Sequence, residues 1–538
     1  MKTLYSNDVK PVDKVARNRS IFLFLLIVAA FILRINGIKS HPTYFHSARQ
    51  YKVALLARSY FLNSNKHKDD IGRIPSIMFQ NFNERVDPQI NEKLIYQLYR
   101  IAGKEDLYLP RTMSVLFWLL GAIILYKISL LLFGGTGSLI SVIFYLFFPF
   151  GINISQSVQS ESLLNMFFLW GVLQIIKHFR SEKGEYFYSA ALLSGFAVFI
   201  KLTIIFPLLG LIAFLGINKY GLKRYFLNWR TVWFFTIFLS VGVSFYVRNI
   251  LWNNAMQELT VSIISPELLL TPFFWMGWFT QIAKVTGIAP FIIGLILFSI
   301  IRGKEVKLAI AGLFFGYVFF ALIFSYTSAT NDYYQLALFP IIALMLGQTG
   351  YLIDISKKKK LLKNVIVFSI LIGGVIFSFY HQNKFMKSDH ELRMYSPAFF
   401  FVGEQGSYFK DNIPEKNIWG NSFEAAETIN HGINNILLSR SNGNAAMYYG
   451  KMFGRTWRTW EDIEKMKFRG KKILNAEDLY NSKYAWQNPK FFVITDFESW
   501  NKQPDLQKFL LSNFKLYREE KGYIIFNLRN KKYKFKKS

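Results

Sequence analysis

Residues able to do chemistry stand at four places in this chain, each beside a long apolar run. The stretch FHSARQ brings together His46, Arg49 and Gln50. A guanidinium beside a carboxamide suits bidentate recognition of a phosphate, and a neutral imidazole is a competent base near neutral pH. The plain alternative is that Arg49, Lys52 and Arg58 snorkel to lipid headgroups and His46 is a satisfied surface histidine. In ISQSVQSESLLNMFF, Glu161 opens an apolar segment. A carboxylate there either complements a helix N-terminus or serves as an acid/base or metal-contacting group at a membrane edge. Lys201 stands in VFIKLTIIFP, where two apolar runs meet, and either holds an anionic headgroup or snorkels; Arg248 in SFYVRNILW admits the same two readings. Finally, TNDYYQLALFP sets Asp332 before Tyr333 and Tyr334, a proton acceptor and two phenol hydroxyls at a water interface. Tyrosines are also ordinary interfacial residues, and an aspartate there could simply cap a helix.

Familiar templates are missing. There is no HExxH, no GxSxG and no GxxxxGK, and with no cysteine the chain has neither disulfides nor thiolate chemistry. What remains is a set of carboxylates and cations at a bilayer surface, suited to transferring a group from a lipid phosphate.

The elements that must position these residues are membrane helices. The chain has 538 residues, 52% hydrophobic and 18% charged, with 55 Phe. Nearly uncharged runs of about the 20 residues a span requires recur between Ser20 and Tyr380. About eleven are expected, near 20–36, 113–133, 138–153, 160–178, 186–200, 202–217, 231–250, 279–301, 306–325, 333–353 and 364–381. The net charge of +30 is concentrated in short connectors such as Lys219 to Arg230 and Lys357 to Lys360, which reads as membrane orientation and headgroup contact, not nucleic acid binding. The basic N-terminus, residues 1–19, and four basic connectors are therefore expected in the cytoplasm. By the same count Glu161, Lys201, Arg248 and Asp332 face outward, together with a long connector, residues 37–112. A connector of that length is expected to be functional, and it adds Glu92 as a further carboxylate. From about Gln382, IWGNSF, KFFVITDF and YIIFNL read as strands of a small extracytoplasmic α/β domain, 382–530, followed by a basic tail, 531–538. Within that domain Trp457 and Trp460 are either sugar-stacking rings or core.

The order of these pieces is recognisable. The segment from LPRTMSVLFWLLGAIILYKISLLLFGG through SQSVQSESLLNMFF to FAVFIKLTIIFP resembles the core of the GT-C membrane glycosyltransferases, family 39 type, kin to protein mannosyltransferases and the aminoarabinose transferase of lipid A. The resemblance covers roughly residues 20–350 and rests on Arg111-x-x-Ser114, the Leu-Phe-Gly-rich turn, the acid in SxxVxxE and the Lys-Leu-Thr turn. It implies a mainly α polytopic protein of the bacterial cytoplasmic membrane. It also implies a polyprenyl-phosphate sugar donor, and an acceptor that is a lipid-linked glycan, an envelope polymer or a protein. Donor phosphate and sugar would be held by Arg49, Gln50, Lys201, Arg248, Tyr333 and Tyr334, and the proton taken by Asp332, Glu161 or His46. Relatives carry an acid early in the connector after the first span, where this chain has Arg49-Gln50 and no carboxylate until Asp69. The family pattern names no required cofactor, and a divalent cation is left open. A non-catalytic lipid-phosphate-binding or scaffold protein of the same architecture is the alternative.

Overall fold

The computed structural model describes residues 10–36, 38–39, 41–42, 45–64, 70–83, 86–252, 264–355, 421–468 and 472–531. The expected span 364–381, the Lys357–Lys360 run and most of the basic tail lie outside them. In chain order the first helices are α1 (Lys10–Ile35), α2 (Ser47–Leu62), α3 (Arg73–Phe82), α4 (Ile90–Ala102), α5 (Tyr108–Phe147), α6 (Pro149–Ser155), α7 (Glu161–Ser181) and α8 (Gly184–Ile200). There follow α9 (Ile205–Tyr220), α10 (Leu222–Phe226), α11 (Trp229–Trp252), α12 (Pro272–Thr286), α13 (Ile288–Ser299), α14 (Lys304–Ile323), α15 (Ser325–Thr330) and α16 (Leu338–Ile355).

The chain forms two compact units. The first comprises Met1–Ile38, Val86–Pro88 and Arg111–Tyr408. Among its described residues six helices are long and apolar enough to cross a membrane, and α12 and α13 form a further apolar pair bent by 91°. The bend interrupts the single span expected at 279–301. The spans expected at 113–133 and 138–153 merge into α5, whose 40 residues would reach about 60 Å if straight, twice a bilayer's hydrocarbon core. It is broken at Gly134, whose φ of 78° is open to glycine but strained for other residues. Helices α9 and α14 cross closely. A Cβ at Gly210 would lie 2.1 Å from the Gly312 carbonyl, and one at Gly316 would lie 2.3 Å from that of Phe206. This small-xxx-small contact is a common packing solution where lipid removes the hydrophobic drive for helices to associate.

The second unit comprises Lys39–Arg85, Gln89–Pro110 and Phe409–Ser538. The connector therefore folds largely with the C-terminal segment, whereas the sequence groups 37–112 with the membrane domain. The C-terminal segment supplies α17 (Asn421–Thr428), β1 (Asn435–Leu438), α18 (Asn444–Gly450), β2 (Gly454–Thr456), α19 (Trp460–Phe468), α20 (Ala476–Lys483), β3 (Phe491–Ile494), α21 (Phe497–Asn501), α22 (Pro504–Asn513), β4 (Phe514–Glu520) and β5 (Tyr523–Lys531). The strands form one sheet in the order β2-β1-β3-β5-β4, with β1 parallel to β2 and β3, and β5 antiparallel to β3 and β4.

Both faces of the sheet are covered, which is why NILL and FFVI are apolar without alternation. Leu437, Phe491, Val493 and Ile525 pack on one face with Tyr51, Ala54, Leu55 and Leu56 of α2. Ile436, Leu438, Phe492, Ile494 and Phe526 pack on the other with Trp457, Trp500 and Leu510. The strands expected at KFFVITDF and YIIFNL are present; of IWGNSF, residues 418–420 lie outside the described residues and the other three are helical. Asn421 to Phe423 begin α17, where helical spacing buries Ala425 and Ala426. Trp457 belongs to the core: it is 2% exposed, its indole N–H donates to Gln503 Oε1 at 3.2 Å and its ring stacks on Tyr484. Of the two readings of Trp457, the core one holds.

Candidate active site

In the first unit the fold gathers four of the sequence candidates. Glu161 is the first residue of α7 and is fully buried. Lys201 caps the C-terminal end of α8 in extended backbone, φ −155°, ψ 118°, before a short 3-10 turn leads into α9. The extended residue turns the chain between two apolar helices and aims the lysine back toward α7. Lys201 Nζ lies 3.2 Å from Glu161 Oε1, with the lysine 6% exposed. The same ammonium sits 4.8 Å from the ring centres of both Tyr333 and Tyr334. A pocket here is lined by Lys201, Thr203, Pro207, Tyr317, Tyr333 and Tyr334.

Burying a lysine and a glutamate carries a large desolvation cost, which is compensated only when the ions pair closely and gain further polar contacts. Two tyrosine faces supply cation–π attraction to the lysine, and the first turn of α7 supplies a favourable dipole for the glutamate. The Tyr333–Tyr334 turn is fixed from behind. Trp278 Nε1 donates to Tyr317 Oη at 2.9 Å, Tyr317 donates to Gln335 Oε1 at 2.5 Å, and Gln335 Nε2 donates to the Ser328 carbonyl at 2.9 Å. Asp332 opens this 3-10 turn, next to the tyrosines and partly exposed. Arg248 is exposed near the end of α11 and is not gathered into the lysine–glutamate pair.

The segment leading to Glu161 is held by Arg34, which the sequence left unweighed, and by Arg111 and Ser114, which entered there only as part of the family pattern. Arg34 is fully buried; it donates from Nε to Ser155 Oγ at 2.8 Å and from Nη2 to the Leu146 carbonyl at 2.7 Å. Arg111, also fully buried, donates to the carbonyls of Gln156 at 2.8 Å and Ile38 at 2.6 Å. Ser114 of α5 donates to Ser162 at 2.8 Å, one residue past Glu161. An arginine closing an apolar run, as in FILRIN, was the available signal for Arg34. A missed carboxylate is Asp87, exposed, whose Oδ1 accepts from Tyr246 Oη at 3.3 Å. The same hydroxyl lies 3.2 Å from the Phe199 carbonyl, two residues before Lys201. Nothing in RVDPQI marked Asp87, because the Tyr246 contact is made across 159 residues.

The second unit holds the remaining candidates. Phe45 and His46 are both left-handed, φ 47° and 59°, immediately before α2. Such a pair is costly for non-glycine residues and persists only when held. Gln50 holds it: Nε2 donates to the Phe45 carbonyl at 3.0 Å, and Gln50 is 1% exposed. Arg49 and His46 are partly exposed. Arg58 does not snorkel. It is buried, donates to both oxygens of Glu105 at 3.0 and 2.8 Å and to the Tyr448 carbonyl at 2.6 Å, and lies 3.8 Å over the Tyr448 ring. Burial opposes its charge, but Glu105 outweighs it and holds the guanidinium above its ordinary value. Among the described residues no three His, Asp or Glu side chains are grouped to hold a metal ion.

Residues 94–252 match the family described as dolichyl-phosphate-mannose-protein mannosyltransferase. No curated protein matches the sequence. Among solved structures, ArnT from Cupriavidus metallidurans bound to undecaprenyl phosphate aligns with a TM-score of 0.54 at 11% identity, over 94% of this chain and 97% of that one. Its apo form aligns with a TM-score of 0.55, and the arabinofuranosyltransferase AftD from Mycobacteria with 0.51 at 12% identity, over 94% of this chain and 41% of AftD. The chain is thus a polytopic membrane protein with the GT-C fold and a small C-terminal sheet domain, and its segment 94–252 carries the pattern of the dolichyl-phosphate-mannose-protein mannosyltransferases.

Proposed function

We propose that the protein transfers a sugar from a polyprenyl-phosphate donor to a hydroxyl acceptor at the outer face of a bacterial cytoplasmic membrane, with its N-terminus inside. The acceptor is a lipid-linked glycan, an envelope polymer or a protein. The observation that carries the proposal is Lys201, buried between Glu161 and the rings of Tyr333 and Tyr334 at the end of two apolar helices. The likeness to ArnT, captured with undecaprenyl phosphate, supports the same ligand class.

Lys201 neutralises the donor phosphate, with Arg248 of the same unit as a further cation. Glu161 keeps the lysine charged and oriented. A carboxylate then takes the acceptor hydroxyl's proton as the acceptor oxygen bonds to the sugar's anomeric carbon. The bond from that carbon to the phosphate oxygen breaks, its electron pair leaves with the lipid phosphate, and the anomeric centre inverts. Asp332, partly exposed beside Tyr333, fits the base better than Glu161, whose carboxylate is buried against a lysine. Preorganised cations aimed at the departing phosphate supply most of the rate, and positioning supplies much of the rest.

The test uses the full chain in vesicles with a radiolabelled polyprenyl-phosphate hexose. Lys201→Met and Asp332→Asn should each reduce transfer to an added envelope extract by at least about 100-fold, the size of a lost acid/base or electrostatic contribution. Undiminished transfer in both variants sinks the proposal. Donor binding without transfer in the native chain favours the non-catalytic alternative.

A further inference from the structure

The ends of the helices remote from Glu161 form a second pocket. The last turn of α7 and its C-cap, the start of α8, the end of α9, α10 and the start of α11 line it, with His178, Glu182, Phe187, Tyr220, Tyr225 and Arg230. Since α7 has 21 residues, this pocket lies about 30 Å along the helix from the lysine–glutamate pair.

Three observations mark it as a binding site. First, His178 Nδ1 is buried with no hydrogen-bond partner among the described residues. A buried polar atom left so is destabilising, and a ligand oxygen would recover that cost. Second, the acid in the lining is already compensated. Glu182 lies 2.7 Å from Lys219 Nζ and accepts from Tyr220 Oη at 3.1 Å, and these bonds hold its carboxyl below its ordinary range. Arg230, whose guanidinium presents a planar fork of donors, therefore sets the pocket's charge. Third, Leu222, Leu227 and Trp229 around the pocket are 61%, 74% and 68% exposed, an apolar rim suited to the bilayer interface.

We infer that this pocket binds the phosphate headgroup of an anionic membrane lipid, with Arg230 on the phosphate, His178 Nδ1 hydrogen-bonded to a headgroup oxygen, and the Tyr220 and Tyr225 rings beside the glycerol. The aromatic walls and apolar rim favour a lipid over a free anion, because they offer a place to the acyl chains as well as to the charge. The site is separate from group transfer and stands or falls without it.

Thermal unfolding of the full-length protein in neutral detergent tests the inference, with added phosphatidylglycerol, phosphatidylcholine or inorganic phosphate. Phosphatidylglycerol should raise the melting temperature and the other two should not. Arg230→Gln and His178→Phe should each remove about half or more of that rise. Lys223→Gln, which changes a nearby exposed cation outside the lining, should retain it. Should His178→Phe fail to fold, Arg230→Gln against Lys223→Gln decides alone. An equal loss in Lys223→Gln would mean diffuse surface attraction and overturns the site. A full shift from inorganic phosphate, or an equal one from phosphatidylcholine, overturns the lipid assignment.

Discussion

The Lys201 ammonium lies 3.2 Å from the Glu161 carboxylate although neither is appreciably exposed, and two tyrosine rings flank the lysine at 4.8 Å. The pair couples the end of α8 to the start of α7, so each residue's role depends on the other's charge.

Removing one partner of this pair strands the other charge in a low dielectric. Glu161→Ala and Lys201→Ala are each expected to destabilise the protein by about 3–5 kcal/mol. Combining Glu161→Ala with Lys201→Ala should cost clearly less than the sum of the single changes. Unfolding midpoints of the detergent-solubilised proteins measure this, and simple additivity would show that the ions act independently.

Both tyrosine rings lie under the Lys201 ammonium, which places cation–π attraction in the donor site. Tyr334→Phe should keep donor KM near the native value, while Tyr334→Leu should raise it about 2- to 30-fold, the equivalent of about 0.5–2 kcal/mol of cation–π attraction. Steady-state transfer assays over a range of donor concentrations separate the two.

Arg34 holds α6 by forked donation that lysine cannot reproduce. Arg34→Lys is expected to cost about 1–3 kcal/mol for each carbonyl left unsatisfied. It should also lower kcat, because Glu161 follows that segment by a few residues. A lowered melting temperature with unchanged kcat would limit Arg34 to a structural part.

Burial pushes the Tyr484 hydroxyl from 10.0 to about 12, and that hydroxyl donates to the Thr456 carbonyl at 2.6 Å. The folded chain thus keeps a proton that the unfolded chain releases. The stabilisation is complete below about pH 10 and falls as pH rises toward 12, by about 2–3 kcal/mol in all. Denaturant unfolding of the full chain, followed by circular dichroism between pH 9 and 12, should show the decline. Tyr484→Phe should make it shallower by that amount, the remainder belonging to other tyrosines that burial also pushes up, such as Tyr448 and Tyr480.

What the sequence determines by itself is whatever is local or periodic. Long apolar runs between basic connectors dictate membrane helices, because a backbone in lipid must satisfy its own hydrogen bonds. Glu161, Lys201 and the Tyr333–Tyr334 turn were legible as candidates because charge and phenol groups at the ends of apolar runs are conspicuous. Their pairing was not: Glu161 and Lys201 are 40 positions apart, and only the packing of α7 against α8 brings them into contact. Arg58 looked like a headgroup ligand until its partner, Glu105, 47 residues on, was seen. Trp457 and the strand NILL depend likewise on a sheet assembled from distant segments, with α2 from the connector closing one of its faces. A short four-residue run carries too little pattern to declare itself. Tertiary structure alone decides such cases, because an ion pair or a buried strand draws its stability from neighbours that sequence spacing does not specify.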